Sequence, residues 1–140
     1  MARIDPLFSP MQGVDVDRRE VAGVQMDVVP AGTGRIKRVV YPAGFRWSTH
    51  MKPIIGTDRC MHAHVGFLAR GHVHVEYPDG CVVEFMAPQV VAIEPGHDAW
   101  VVGDEPAVLI EVDFEAETPQ LFGLTGHRHR QASKNTDRPL

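Results

Sequence analysis

Only two cysteines, Cys60 and Cys81, occur in the 140-residue sequence, too few for a disulfide framework. Both are expected to be free thiols in a reducing compartment. No apolar run approaches the ~20 residues that a membrane-spanning helix needs. The first residues, MARIDPLFSP, contain no apolar segment of the kind a signal peptide carries. Together these absences lead to the expectation of a cytoplasmic protein that does not enter a membrane. Positive charge is not in excess either: the net charge is −4 with histidines neutral, so no basic surface for nucleic acid is indicated. No glycine-rich phosphate loop, dinucleotide fingerprint, serine nucleophile elbow or Cys-x-x-Cys pair is found. Internal repeats and low-complexity tracts are missing as well.

Strand signals dominate what is there. Hydrophobic residues make up 44% and charged residues 23%, a balance suited to one globular domain that buries its own core. Turn residues punctuate the chain at short intervals, as in Pro42-Ala43-Gly44, Pro78-Asp79-Gly80 and Pro95-Gly96. Val73, Val75 and Tyr77 alternate with His72, His74 and Glu76. Val108, Ile110, Val112 and Phe114 alternate with Leu109, Glu111 and Asp113. Period two over such lengths marks half-buried strands. Between residues 20 and 115 no helical period stands out, and many short strands point to a sandwich or closed barrel. The expected organisation is an N-terminal arm over 1–20, a β-barrel over 21–115 and a C-terminal extension over 116–140. That extension, poor in apolar residues from Gly126 onward and carrying His127, Arg128, His129 and Arg130, reads as largely flexible.

Glycines and histidines recur in two stretches with the spacing of a paired motif. Five residues separate Gly44 from His50, which falls at the place of the first motif's leading His; Lys52 stands where its second His belongs. His64 takes the place of the motif Glu, six residues precede Gly71, and the spacer from Pro53 to Ala63 is longer than in the compact motif. In PQVVAIEPGHDAWVVGD, Gly96 matches the second motif's second Gly and Glu94 its Pro position. Ala99 falls at the metal-binding His and Gly103 at the Asn. The likeness runs from Pro42 to Phe114 and is to small bacterial single-domain cupins of the cupin-2 type. It implies an all-β, double-stranded β-helix (jelly-roll) barrel. Of the family's usual ligand set only His50 is kept, so the fold is implied more strongly than any activity.

Eight histidines are many for this length, and they carry the functional argument. In an extended segment Cys60, His62 and His64 share one face, and His50 and Lys52 share another. The resemblance places His50 and His64 inside the barrel, and by parity His62, Cys60 and Lys52 then point inward too. Three imidazoles and a thiol suit a divalent metal such as Zn, Fe, Mn or Ni. Since metal needs neutral imidazoles, affinity is expected to fall below about pH 6. A polar cavity without metal is the alternative, with Lys52 and the missing ligand at Ala99 in its favour. His97 is a candidate replacement ligand or substrate contact, or else caps its own turn. Trp47 and Trp100 are candidate stacking walls or core residues, and Lys52 a candidate grip for an anionic group.

Two functions follow as expectations. One is a metal-dependent cupin acting on a small, anionic metabolite, with oxygenase, isomerase and lyase chemistry all open. The other is a metal-free cupin that binds or senses a small molecule. A homodimer is expected, with Val65, Phe67, His72 and His74 as its surface.

Overall fold

The computed structural model describes residues 5–12 and 15–114, with Phe114 through its backbone alone. The extension expected over 116–140, with His127 to Arg130, lies outside the described residues, as do residues 1–4.

Nine strands form among the described residues. β1 (Asp17–Val21), β2 (Val24–Ala31) and β3 (Gly34–Tyr41) run as successive hairpins. β4 (His64–Arg70), β5 (His72–Glu76), β6 (Val82–Met86), β7 (Gln89–Ile93), β8 (Asp98–Val101) and β9 (Ala107–Phe114) follow. They make a six-stranded sheet in the order β1-β2-β3-β9-β4-β7 and a three-stranded sheet in the order β6-β5-β8. Every pairing is antiparallel, which lets each sheet bury one face and expose the other. Val39, Leu68, Val91 and Leu109 of the large sheet share one core with Val75, Phe85 and Val101 of the small one. The inward valines of β5 are those that period two singles out, with His72 and His74 on the opposite face.

The N-terminal arm is part of this architecture. β1 crosses the expected arm boundary and becomes the edge of the large sheet. Ahead of it, residues around Leu7 and Met11 cover a buried ion pair on that sheet's outer face: Arg38 Nη1 donates to the Leu7 carbonyl at 3.0 Å, and Met11 N–H donates to Asp27 Oδ2 at 2.7 Å.

Gly66 sits directly opposite Glu111 where β4 meets β9. A side chain there would run into the Ile110 carbonyl oxygen, 1.8 Å from an ideal Cβ. The bare backbone at 66 leaves the cavity side of this row to the side chain of Glu111.

Between β3 and β4 the chain departs from the extended geometry expected of it. WSTH folds as a single helical turn, α1 (Trp47–His50), and KPII as a second, α2 (Lys52–Ile55). Pro53 fits the first turn of α2, where no N–H is needed, and Gly56 closes it at φ +86°. The start of α1 is held from a distance. Asp98 Oδ1, on β8, accepts from Ser48 N–H at 3.0 Å and from Ala99 N–H at 2.9 Å, and Oδ2 accepts from Arg46 Nε at 3.1 Å. Burial pushes the Asp98 carboxyl up, but the bonds from Ser48 and the Arg46 guanidinium outweigh this and hold it below its ordinary value. A depressed carboxylate contributes stability above its unfolded pKa and loses it as pH falls through the folded value. Asp98→Asn should therefore cost about 1–3 kcal/mol at pH 7 in urea unfolding, with the gap from wild type closing below about pH 4. A gap that persists unchanged at pH 3 would show that the charge is irrelevant.

Candidate functional site

Between the two sheets lies a cavity of about 390 Å³. Its walls are apolar: Val39, Leu109 and Val91 from the large sheet face Val73, Phe85 and Val101 from the small one. Polar groups gather at one end, where β3, β4, β9 and the segment before β4 meet. Lys37, Cys60, His62, His64, His97 and Glu111 are the groups in question.

Backbone pairing assembles the first part of this end. Cys60 N–H donates to the His97 carbonyl at 2.8 Å, and the Cys60 carbonyl accepts from Gly96 N–H at 2.7 Å, an isolated bridge that sets the thiol beside a residue 37 positions later in the chain. His64 is the first residue of β4 and faces inward from the large sheet. Its Nε2 lies 3.8 Å from Cys60 Sγ, and its ring centroid is 5.1 Å from that of His97. Cys60, His64 and His97 each bring one ligand atom within 4.8 Å of the others.

Both imidazoles are anchored from behind. His64 Nδ1 is bonded to Glu111. His97 Nδ1 is 2.6 Å from the Glu94 carbonyl, so it donates there and leaves Nε2 as the nitrogen open to an ion. A carbonyl or carboxylate on the far nitrogen is the usual way a metal-ligating histidine is oriented. His97, 2% exposed, thus makes the local turn contact and also belongs to the cluster.

The charges are matched. Burial raises the Cys60 thiol, yet hydrogen bonds from His64 and His97 and the charge of His97 bring it down to about 6. Burial disfavours the His64 imidazolium, but Cys60 on one side and Glu111 on the other raise it to about 9. Glu111 is pushed up by burial and held below its ordinary value by His64 and Lys37. Tyr41, which also lines the cavity, is raised well above the usual phenol by burial and by the charges of Glu111 and Cys60. Without a metal, these surroundings favour the ionised thiol of Cys60, the protonated ring of His64 and the ionised carboxylate of Glu111, with Lys37 close by and a neutral Tyr41 phenol.

A second group of three, His62, His64 and Glu111, also meets within 4.8 Å. It differs in two respects. Two of its members, His64 and Glu111, are already hydrogen-bonded to each other, and Lys37 stands over it, with Nζ 3.2 Å from His62 Nε2 and 3.6 Å from Glu111 Oε2. An ammonium so placed opposes a cation.

Two expected members are elsewhere. His50 and Lys52 do not share a strand face, because that stretch is helical. Arg46 N–H donates to His50 Nδ1 at 3.0 Å, and the ring stacks on Phe45 at 5.6 Å, so His50 closes its own turn. Lys52 pairs with Asp58 at 2.8 Å on the exposed surface. Trp47 lines the cavity and is buried. Trp100 borders it too, but its ring is stacked on His74 at 4.1 Å and covered by Arg46 at 4.3 Å, which occupies its faces.

Lys37 and Glu111 had no distinguishing mark in the sequence. Each is one charged residue in an otherwise ordinary strand, and only the β3–β9 register sets them opposite one another. The available signal was parity: Glu111 shares a strand face with Leu109, and Lys37 with Val39.

Solved structures with this arrangement of strands share little sequence with the chain. It is similar to a cupin 2 conserved barrel domain protein from Salinispora arenicola, with 17% identity, a TM-score of 0.52, and 82% of this chain and 96% of that one covered. It is similar to KdgF from Halomonas sp. at 14% identity and a TM-score of 0.51, over 80% of this chain and 97% of that one. An RmlC-like cupin from Shewanella frigidimarina aligns at 16% identity and a TM-score of 0.50, over 79% and 94%. No family model and no curated protein matches. These likenesses show the fold: the chain is folded as a small cupin barrel. Among the described residues no helix is long and apolar enough to cross a membrane.

Proposed function

We propose that the barrel is a metal-dependent cupin acting on a small molecule, with the ion held by Cys60, His64 and His97. The observation that carries this reading is the pair of anchored imidazoles meeting one buried thiol at the end of an apolar cavity. Two nitrogens and a sulfur are a donor set that Zn²⁺ and other borderline divalent ions favour, and three protein ligands leave a position open. An ion there would act as a Lewis acid on a donor atom of the bound molecule or on water. Glu111 and the Glu94 carbonyl would keep the two rings aimed, and Tyr41 would offer a neutral hydroxyl beside them. Lys52 does not support an anion-binding role here, since its ammonium is spent on Asp58.

Metal analysis of untagged protein tests this. One equivalent of Zn²⁺, Fe²⁺, Mn²⁺ or Ni²⁺ is expected to survive dialysis after loading. Retention of none of them would remove the metal. The second reading, a metal-free binding or sensing barrel, is then favoured by the pairing of Cys60 and Glu111 with His64 and Lys37, which leaves the cluster satisfied without an ion.

We also infer a homodimer. Val65 and Phe67 on β4 and Val90 on β7 lie on the outer face of the large sheet and are 53%, 41% and 75% exposed. Phe67 and Val90 are directly paired across the strands, so the patch is continuous. Light scattering should give twice the 15.5 kDa chain mass, and Phe67→Asp the single mass. A wild-type monomer at micromolar concentration would end this inference.

A further inference from the structure

The proposed function leaves open what enters the cavity, and the lining narrows the choice. Beyond its polar end a few lining residues carry a hydrogen-bonding group, Tyr41, Trp47, Thr57 and Trp100, but much of the wall has none: Val39, Leu109, Val73 and Phe85. A polyhydroxylated ligand such as a sugar would have to leave its hydroxyls unpaired against them, at a cost of roughly 1–3 kcal/mol each. A dicarboxylate or phosphate fares no better. Among the described residues Lys37 is the one ammonium or guanidinium group that lines the cavity, and it is committed to Asp113 at 2.8 Å and Glu111 at 3.6 Å. Arg46 is turned to Asp98, and Lys52 to Asp58.

What the walls do offer is flat apolar surface. Trp47, Phe85 and Tyr41 line the cavity, as do Met26 and Met51, and Phe45 lines it with its ring packed against His50 and Tyr41. Aromatic faces accept other rings in offset or edge-on contact, and methionine moulds itself to a ring edge. Polarity gathered mainly at one end suits a molecule with polarity at one end alone. On the solvent side Ile55, Met61 and His62 line the same space while exposed, which marks the way in.

We propose that the cavity takes an aromatic molecule carrying a hydroxyl at one edge, its ring held between the sheets and its oxygen directed at the Cys60, His64 and His97 end. The proposal deepens the metal reading only in what the oxygen meets; the ring's place rests on the walls.

Calorimetric titration of zinc-loaded and metal-free protein tests both parts. The probes are 2-naphthol, naphthalene, glucose, succinate and inorganic phosphate. Saturable binding is expected for 2-naphthol, weaker binding for naphthalene, and none for the other three. Val39→Phe, which adds a ring to the cavity wall, should weaken 2-naphthol by roughly tenfold or more while the zinc content stays the same. If that variant fails to fold, Val73→Phe adds one from the other sheet. Binding of glucose, succinate or phosphate in preference to 2-naphthol overturns the proposal, as does naphthol binding that neither variant weakens. The two readings fail separately. Zinc retained with no naphthol heat defeats the aromatic ligand alone, and naphthol bound by a protein that retains no metal defeats the metal alone.

Discussion

Cys60→Ser is expected to lower zinc affinity by at least roughly 100-fold, with His64→Ala and His97→Ala falling as far. Each removes one of the three donor atoms that meet within 4.8 Å, and two ligands from a single protein rarely hold zinc against buffer. Glu111→Gln should cost less, roughly 10–100-fold, because it removes the acceptor that aims His64 while leaving the ligand in place. His62→Ala should leave affinity as it is. The opposite order, with Glu111 and His62 essential and Cys60 indifferent, would move the ion to the neighbouring group. Cobalt gives an independent check, since a thiolate-to-cobalt absorption band should be present in wild type and lost in Cys60→Ser.

The same site has a pH signature. Metal must displace the proton that His64 holds up to about 9, whereas the Cys60 thiol is ionised above about 6. Release of the His64 proton therefore accompanies binding between these values. Affinity should rise roughly tenfold per pH unit from 6 to 9. An ordinary histidine would give a plateau from neutrality upward, and that result would show that the Cys60 and Glu111 contacts do not hold His64 protonated.

The largest loss of stability should come from the other side of the large sheet. Arg38 and Asp27 are each 4% exposed and lie side by side on β3 and β2, with Arg38 Nη2 3.0 Å and Nε 3.3 Å from Asp27 Oδ2. Arg38→Met keeps the bulk but leaves the Asp27 carboxylate buried, with Met11 N–H and a more distant Arg18 as its remaining support. A charge so stranded should destabilise the fold by about 3–5 kcal/mol in urea unfolding. Adding Asp27→Leu should recover much of that loss, because the pair is then gone rather than broken. Recovery stays incomplete, since Met11 N–H loses its acceptor. A single variant within 1 kcal/mol of wild type would mean that water reaches Asp27 freely.

The barrel itself was legible in the residue order. Alternation in β5, turn residues between strands, and glycines at cupin spacing all report local constraints, and local constraints are written in adjacent residues. Period two likewise put Cys60 and His64 on a common side. It failed at His50 and Lys52, where the rule of alternating faces was applied to a stretch that is not extended. What overrode it was Asp98, about 50 residues away, which receives Ser48 N–H and stabilises a helical turn there.

What the chain alone determined was therefore the kind of fold, the inward valines of β5 and the presence of histidines in excess. The tertiary structure decided which of those histidines meet. His97 reaches Cys60 through a backbone bridge, Glu111 reaches His64 past a glycine on the neighbouring strand, and Lys37 joins them by register. These partners are far apart in sequence, and a single side chain carries no mark of what lies across the sheet. Period and turn chemistry act over a few residues. A site assembled from strands 3, 4 and 9 and the turn before strand 8 exists only once the sheets have paired.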